Sequence, residues 1–392
     1  MKKILCLAFC IIFACSTALN AFGANEPSQE KLPDDIKAAS AILVDAGSGK
    51  VLFEYNADEK RSPASVTKIM TVLLVCEALD NARITLADKV TCSENAASKG
   101  GSQIWLKEGE VMTVDELLKA TVIGSANDAA TLLGEYVAGS EDAFIALMNE
   151  RASQLGMKNT HFENATGLDD TTDSHLSTAR DIAVMSCELL KHSLVTEYST
   201  VWMDSLRGGK TELVNTNKLV RFYKGTTGLK TGTTSKAGCC IAASAERDGL
   251  SLVAVVLGSE NSNDRFESAK ALLNRGFSEY AVFSPEIDKT LITDVNVLGG
   301  EYSNVSVSLP DIEPVLIKKG EADKIEQKVE ISTEVQAPVL KKQTLGTVSF
   351  WCGGKLLAQY SLKADKEIKE LTYKTSLLRL LRFIACGIIE NY

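Results

Sequence analysis

Apolar residues follow two different periods along the first three-quarters of the chain. Residues 38–44 and 51–55 are short apolar runs. They flank Asp45-Ala-Gly-Ser-Gly-Lys50, whose small and turn-forming residues favour a tight reversal, so the pair reads as a β-hairpin. The spacing then changes. Ile69, Met70, Leu73 and Leu74 recur at the interval of one helix face. They predict a buried helix over 66–79 that begins at or next to Ser65. Helical spacing returns at 114–123, 126–137, 141–155 and 178–191. A second hairpin is expected from 237–245 and 250–257, joined by Arg247-Asp248-Gly249. Residues 265–277 revert to helix. Strands, then helices, then strands again describe an α+β domain, with a sheet that joins both ends of the segment beneath a helical cover.

The texture changes after Phe283-Ser-Pro285. Runs at 291–295, 305–307, 329–331 and 347–350 read as strands and helical periodicity is weak, which predicts a small all-β domain of two packed sheets. The stretch 377–389 is apolar almost throughout. Ser376, Arg379, Arg382 and Cys386 form a narrow polar stripe at helical spacing. Such a helix suits a membrane interface, with arginines toward anionic head groups. Docking on the β-domain is the other arrangement open to it.

At the other end, Lys2 and Lys3 precede an apolar run of roughly a dozen residues, too short to span a bilayer comfortably, and Ala21-Phe22-Gly23 offers small residues for cleavage. The pattern reads as an export signal; a retained N-terminal anchor is the alternative. The expected organisation is a signal at 1–23, a catalytic domain at 24–283, a β-sandwich at 284–374 and an amphipathic membrane-anchoring helix at 375–392. An exported chain would act at the outer face of the cell membrane.

Composition excludes several classes. The chain has 392 residues, 24% of them charged, and a net charge of −9. That length suits two domains, and an acidic chain lacks the basic face that nucleic-acid binding needs. The ten cysteines include no C-x-x-C pair and no histidine-rich partner cluster, so neither a zinc site nor a cofactor is expected. Cys239 and Cys240 are adjacent on an expected strand. Their side chains point to opposite faces and cannot bridge each other, so they read as small core residues.

Three short patterns carry the chemistry. In Ser65-Val-Thr-Lys68 the spacing brings a hydroxyl and an amine together one helical turn apart. A serine hydroxyl is a poor nucleophile until a neighbouring base takes its proton. Lysine can be that base only when neutral, which burial or nearby positive charge brings about. Alone the pattern says little: Ser28-Gln-Glu-Lys31 has the same spacing in a polar lead-in. The second, Ser125-Ala-Asn127, offers a hydroxyl to relay a proton and an amide to hold a carbonyl. The third, Lys230-Thr231-Gly232 followed by Thr233, places a lysine and hydroxyls on a strand, with Gly232 leaving room for close backbone approach.

In this order and spacing the three patterns resemble the serine penicilloyl-transferase set. The neighbours Pro63-Ala-Ser-Val-Thr-Lys-Ile-Met-Thr71, Gly100-Gly101-Ser102, Gly228-Leu-Lys-Thr-Gly232, Lys236-Ala-Gly238 and Asp264-Arg-Phe266 are similar to those of low-molecular-mass penicillin-binding proteins. Among these, the D-alanyl-D-alanine carboxypeptidases of peptidase family S11 fit best. The resemblance implies a β-lactamase/transpeptidase-like domain, an antiparallel sheet flanked by helices, followed by a β-domain and an amphipathic tail. It implies that Ser65 forms an acyl-enzyme, Lys68 takes its proton and Ser125 relays a proton to the leaving D-alanine. Asn127 would hold the acyl-side amide and Lys230 would supply positive potential. The backbone N–H groups of Ser65 and Thr233 would bind the oxyanion. Thr231, Thr233 and Arg265 would bind the terminal carboxylate, with Gly232 between them. The implied partners are peptidoglycan stem peptides and β-lactams, with the membrane surface bound through the tail.

Thr233 and Thr166 depart from relatives that carry histidine there. His161, His175 and His192 form no Ser-His-Asp arrangement and read as structural. A class A β-lactamase shares the three motifs but lacks a β-domain and tail, and no deacylating glutamate motif follows Asn127. A non-catalytic wall-binding scaffold is at odds with the complete motif set.

Overall fold

The computed structural model describes residues 32–170 and 172–386. The expected signal therefore lies outside the described residues. Strands β1 (Ser40–Asp45) and β2 (Val51–Tyr55) form the first hairpin. Next come helices α1 (Lys68–Asp80), α2 (Val114–Val122), α3 (Asn127–Ala138), α4 (Glu141–Gln154) and α5 (Ala179–Leu189). Strands β3 (Thr226–Thr234), β4 (Gly238–Arg247) and β5 (Leu250–Ser259) follow, and α6 (Ser262–Glu279) closes the domain. The sheet runs β2-β1-β5-β4-β3, every pair antiparallel, so β3 is an edge strand.

Alternation along the central strands builds a core on each face of the sheet. Ile42, Ala242, Val253 and Val255 face α1 and the helical layer. Leu43, Ile241, Ala243 and Val256 face the other way, onto Phe266, Leu272 and Leu273 of α6. Helix α1 is buried on every side from Lys68 to Cys76, as expected of a helix apolar all round. Ends are fixed locally: Thr113 and Glu116 make a reciprocal capping box at α2, and Gly139 (φ 88°) ends α3 in the left-handed conformation.

The C-terminal region is all-β, with two main sheets. One joins Asn304–Val305, Val295–Leu298 and Glu334–Gln336. The other joins Val307–Ser308, Lys355–Ala364, Thr344–Cys352 and Ile325–Ile331. Two expectations need correction. The run at 291–295 is not one strand: Asp288 accepts the Thr290 N–H and holds a 3-10 turn over Lys289–Leu291, so the strand starts at Val295. The run at 305–307 is two strands, because the chain changes sheet at Ser306. The long strand at Lys355–Ala364 escaped the sequence reading; Leu356, Ala358, Tyr360, Leu362 and Ala364 form its inner face, but Leu357 interrupts the alternation and only Leu362 and Ala364 are fully buried. The tail forms helix α7, Tyr373–Cys386, and the rest of the expected anchor lies outside the described residues.

Candidate active site

Ser65 sits in a 3-10 turn, Ala64–Thr67, that leads directly into α1. In 3-10 geometry residues i and i+3 eclipse, which places Lys68 directly over Ser65. Lys68 Nζ lies 2.9 Å from Ser65 Oγ. It also meets Asn127 Oδ1 at 2.6 Å and the Thr166 carbonyl at 2.9 Å. Both of those partners only accept. Thr166 presents a backbone carbonyl, and the Asn127 amide is oriented because its Nδ2 donates to Gly100 O (2.6 Å). A neutral amine has two N–H groups and one lone pair. The two acceptors use the N–H groups, and the lone pair faces the Ser65 hydroxyl.

Electrostatics favour that neutral form. Lys68 is fully buried. Burial holds its amine well below the ordinary lysine range, and the Lys230 charge lowers it further, against an opposing pull from Asp128. Lys230 is buried too; burial first, and then Arg265, bring it to about 7.

Strand β3 brings the third motif against the first. A Cβ at Gly232 would lie 2.8 Å from Ser65 N and 2.9 Å from Pro63 O, so only glycine lets the strand run this close to the nucleophile turn. Lys230 Nζ donates to Thr231 O (3.1 Å). Thr231 Oγ1 donates to Thr216 Oγ1 (2.8 Å). The Thr233 hydroxyl accepts from Arg265 Nη1 (3.0 Å), which also donates to Gly232 O (3.1 Å) and Cys240 O (3.3 Å). Arg265 is buried and stacks over Phe266, its guanidinium 4.7 Å from the ring centroid. It therefore stiffens β3 through Thr233.

Ser125 occupies the turn between α2 and α3 with φ 62°, a left-handed conformation that a serine adopts only when its surroundings impose it. The turn is tied down by Ala126 N on Ala120 O (3.0 Å) and Asn127 N on Ser102 O (2.7 Å). The first and third motifs and Asn127 thus converge on Lys68, and Ser125 stands two residues from Asn127.

Several supporting groups were not singled out from the sequence. Asp128, fully buried, accepts the backbone N–H groups of Ile104 (3.1 Å), Leu106 (3.0 Å) and Ala129 (2.9 Å), which fixes the 100–106 loop beside Asn127. Asp169 accepts from Ser62 Oγ (2.5 Å) and Thr234 Oγ1 (2.8 Å), joining the segments before Ser65 and after Thr233. Gly167 (φ 85°) packs so tightly that a Cβ there would overlap Ala64 O. A carboxylate set among three alanines was the available signal for Asp128, within Ser125-Ala-Asn-Asp-Ala-Ala130. The Thr166 contribution uses a main-chain atom, and no side-chain motif could announce it.

The histidines do not enter this cluster. His175 is buried behind α1: its Nδ1 accepts from Glu163 N (3.0 Å), which leaves Nε2–H to donate to Thr67 Oγ1 (2.8 Å). Burial pushes its pKa down to about 4 and keeps the ring neutral. Cys239 and Cys240 are buried free thiols on β4, not bridged, as their adjacency on a strand requires.

A serine and a buried amine facing an edge strand through a glycine define an acyl-transfer serine hydrolase that works without histidine. Comparison with known proteins is specific. The family described as D-alanyl-D-alanine carboxypeptidase, peptidase S11, matches residues 25–261, and the C-terminal domain of penicillin-binding protein 5 matches 286–370. The D-alanyl-D-alanine carboxypeptidase DacF of Bacillus subtilis is 39% identical, over 88% of this chain and 89% of its own length. The crystal structure of penicillin-binding protein 5 from Haemophilus influenzae superposes with a TM-score of 0.74 at 29% identity, covering 86% of this chain and 99% of its own. Penicillin-binding protein D2 of Listeria monocytogenes, solved in its ampicillin-bound form, gives 0.57 at 33% identity over 62% of this chain and 98% of its own. The chain belongs to the S11 family of serine-type D-alanyl-D-alanine carboxypeptidases, the low-molecular-mass penicillin-binding proteins.

Proposed function

We propose that this carboxypeptidase removes the terminal D-alanine from peptidoglycan pentapeptide stems through an acyl-enzyme on Ser65. The observation that carries the assignment is the buried Lys68 amine, which lies 2.9 Å from Ser65 Oγ while Asn127 Oδ1 and the Thr166 carbonyl offer acceptors for two N–H groups. Lys68 takes the hydroxyl proton as Oγ attacks the carbonyl between the two D-alanines. The backbone N–H groups of Ser65 and Thr233 hold the resulting oxyanion. The C–N bond breaks as Lys68 gives up the proton it took and the Ser125 hydroxyl relays it to the departing amine, which leaves Lys68 neutral. Water then attacks the ester, with Lys68 again as base, and frees the shortened stem.

Asn127 and Lys230 position the acyl amide and supply positive potential. The hydroxyls of Thr231 and Thr233 receive the terminal carboxylate, Thr233 being backed by Arg265. A β-lactam acylates Ser65 by the same route, because its amide stands in for the scissile bond. Purified protein should release D-alanine from a pentapeptide stem. Penicillin should leave a covalent adduct that maps to the peptide containing Ser65. A Ser65→Ala variant that still released D-alanine would overturn the assignment.

We further propose that the chain is exported and held at the membrane surface by α7. No described helix is long and apolar enough to cross a membrane. Leu377, Leu378, Leu380, Leu381 and Ile384 are nevertheless exposed, the last at 70%. A row of uncovered leucines on a short helix fits interfacial burial better than docking on the β-domain. The chain without its leader should co-sediment with anionic vesicles, and deletion of 373–392 should abolish this; equal sedimentation of both forms would contradict it.

A further inference from the structure

Trp105 is the most exposed large apolar side chain of the catalytic domain, at 73%. Its backbone is left-handed as well (φ 59°). An exposed indole and a left-handed non-glycine residue are each unfavourable, and such features gather where a protein uses them. This one is held in place firmly. The N–H groups on either side, Ile104 and Leu106, are both bonded to the buried Asp128 carboxylate. The Ile104 carbonyl accepts from Arg207 Nη1 (2.9 Å), and Arg207 Nε is in turn anchored on Glu110 (2.6 Å). The indole is thus presented to solvent from a clamped main chain.

Its position connects it with the reaction. The same loop supplies Gly100 O and Ser102 O, which fix the Asn127 side chain and backbone N–H. Asp128, which clamps Trp105, is the next residue after Asn127. Trp105 therefore sits on the loop that holds Asn127, the acyl-side group under the mechanism proposed above. Under the same mechanism the carboxylate end is received at Thr233, which Arg265 braces.

We propose that Trp105 determines specificity: its indole is a platform for the side chain of the stem residue that precedes the D-alanine pair. An aromatic face complements a methylene chain, and its negative π-cloud suits a terminal ammonium, so the chemistry fits a long aliphatic amine. This rests on the proposed acyl-side role of Asn127. Contacts to parts of a substrate remote from the reacting bond raise kcat/KM for the full substrate alone.

The test compares Trp105→Ala and Trp105→Phe with wild type. Three substrates are used: a pentapeptide stem with a lysine-type third residue, the same stem with alanine there, and acetyl-D-Ala-D-Ala. Trp105→Ala should lower kcat/KM about tenfold or more on the lysine-type stem, with Trp105→Phe restoring most of it. It should leave the alanine-bearing stem, the acetyl dipeptide and the rate of benzylpenicillin acylation unchanged. An equal loss on all the substrates, or no loss on the lysine-type stem, would overturn the proposal. Failure of the acyl-enzyme reading itself would appear separately, as absence of D-alanine release and penicillin labelling in the wild type.

Discussion

Lys68→Arg should slow penicillin acylation of Ser65 by about 10²–10⁴-fold, the span associated with losing a positioned general base. The reason is protonation state more than size. Guanidinium stays charged at every accessible pH and has no lone pair to offer. At this position it would also bury a charge beside Lys230, among partners arranged for two N–H donors and one lone pair. Misfolding could imitate the loss, so Lys68→Met serves as the companion variant. It keeps the length, carries no charge and removes the base. Both variants should lose acylation, and Lys68→Met should retain a melting temperature at or above wild type, because a buried amine is replaced by a thioether that suits an apolar core. Acylation within threefold of wild type in either variant would remove Lys68 from the mechanism.

Gly232→Ala should slow acylation by about 100-fold with little change in melting temperature. The added methyl would come within 2.9 Å of Ala64 Cβ and Pro63 O and within 2.8 Å of Ser65 N. All but the methyl of Ala64 are backbone atoms that cannot rotate away. Strand β3 is an edge strand, so it yields outward at modest cost to the fold. That movement carries the Thr233 N–H and hydroxyl away from Ser65. Displacement of a reacting geometry by about 1 Å costs on the order of 10²-fold. Stopped-flow acylation beside a thermal melt separates the two effects. A large drop in melting temperature with unchanged acylation would show that Gly232 serves stability instead.

The elements that position Ser65 and Lys68 were legible because burial imposed their pattern. α1 is apolar on all sides, and the strands of the central sheet are short apolar runs closed by turn residues such as Arg247-Asp248-Gly249. In the C-terminal region the signal faded for a physical reason. In Lys355–Ala364 burial is complete only at Leu362 and Ala364, and the outward Leu357 interrupts the alternation of the inner face. At Val305-Ser-Val307 one apolar pattern conceals a change of sheet.

At the site, side-chain chemistry could be read from spacing, whereas main-chain chemistry could not. Thr166 stood out as a departure from relatives with histidine, yet its carbonyl holds Lys68, and a carbonyl is indifferent to the side chain it accompanies. Thr231 reads as an open hydroxyl in Lys-Thr-Gly, but its partner Thr216 lies on a preceding loop that no motif marks. The part Arg265 plays in holding the strand, through its bonds to Thr233 and two carbonyls, could not be read from Asp264-Arg-Phe266.

The pH dependence of penicillin acylation reports the charge on Lys68 in the free enzyme. A depressed amine is neutral above its lowered pKa, so the rate constant should rise as pH increases through that value and then level off, well short of the ordinary lysine pKa of 10.5. A rate that kept climbing tenfold per pH unit until about 10 would mean that the amine beside Ser65 is an ordinary charged lysine, and would contradict the account.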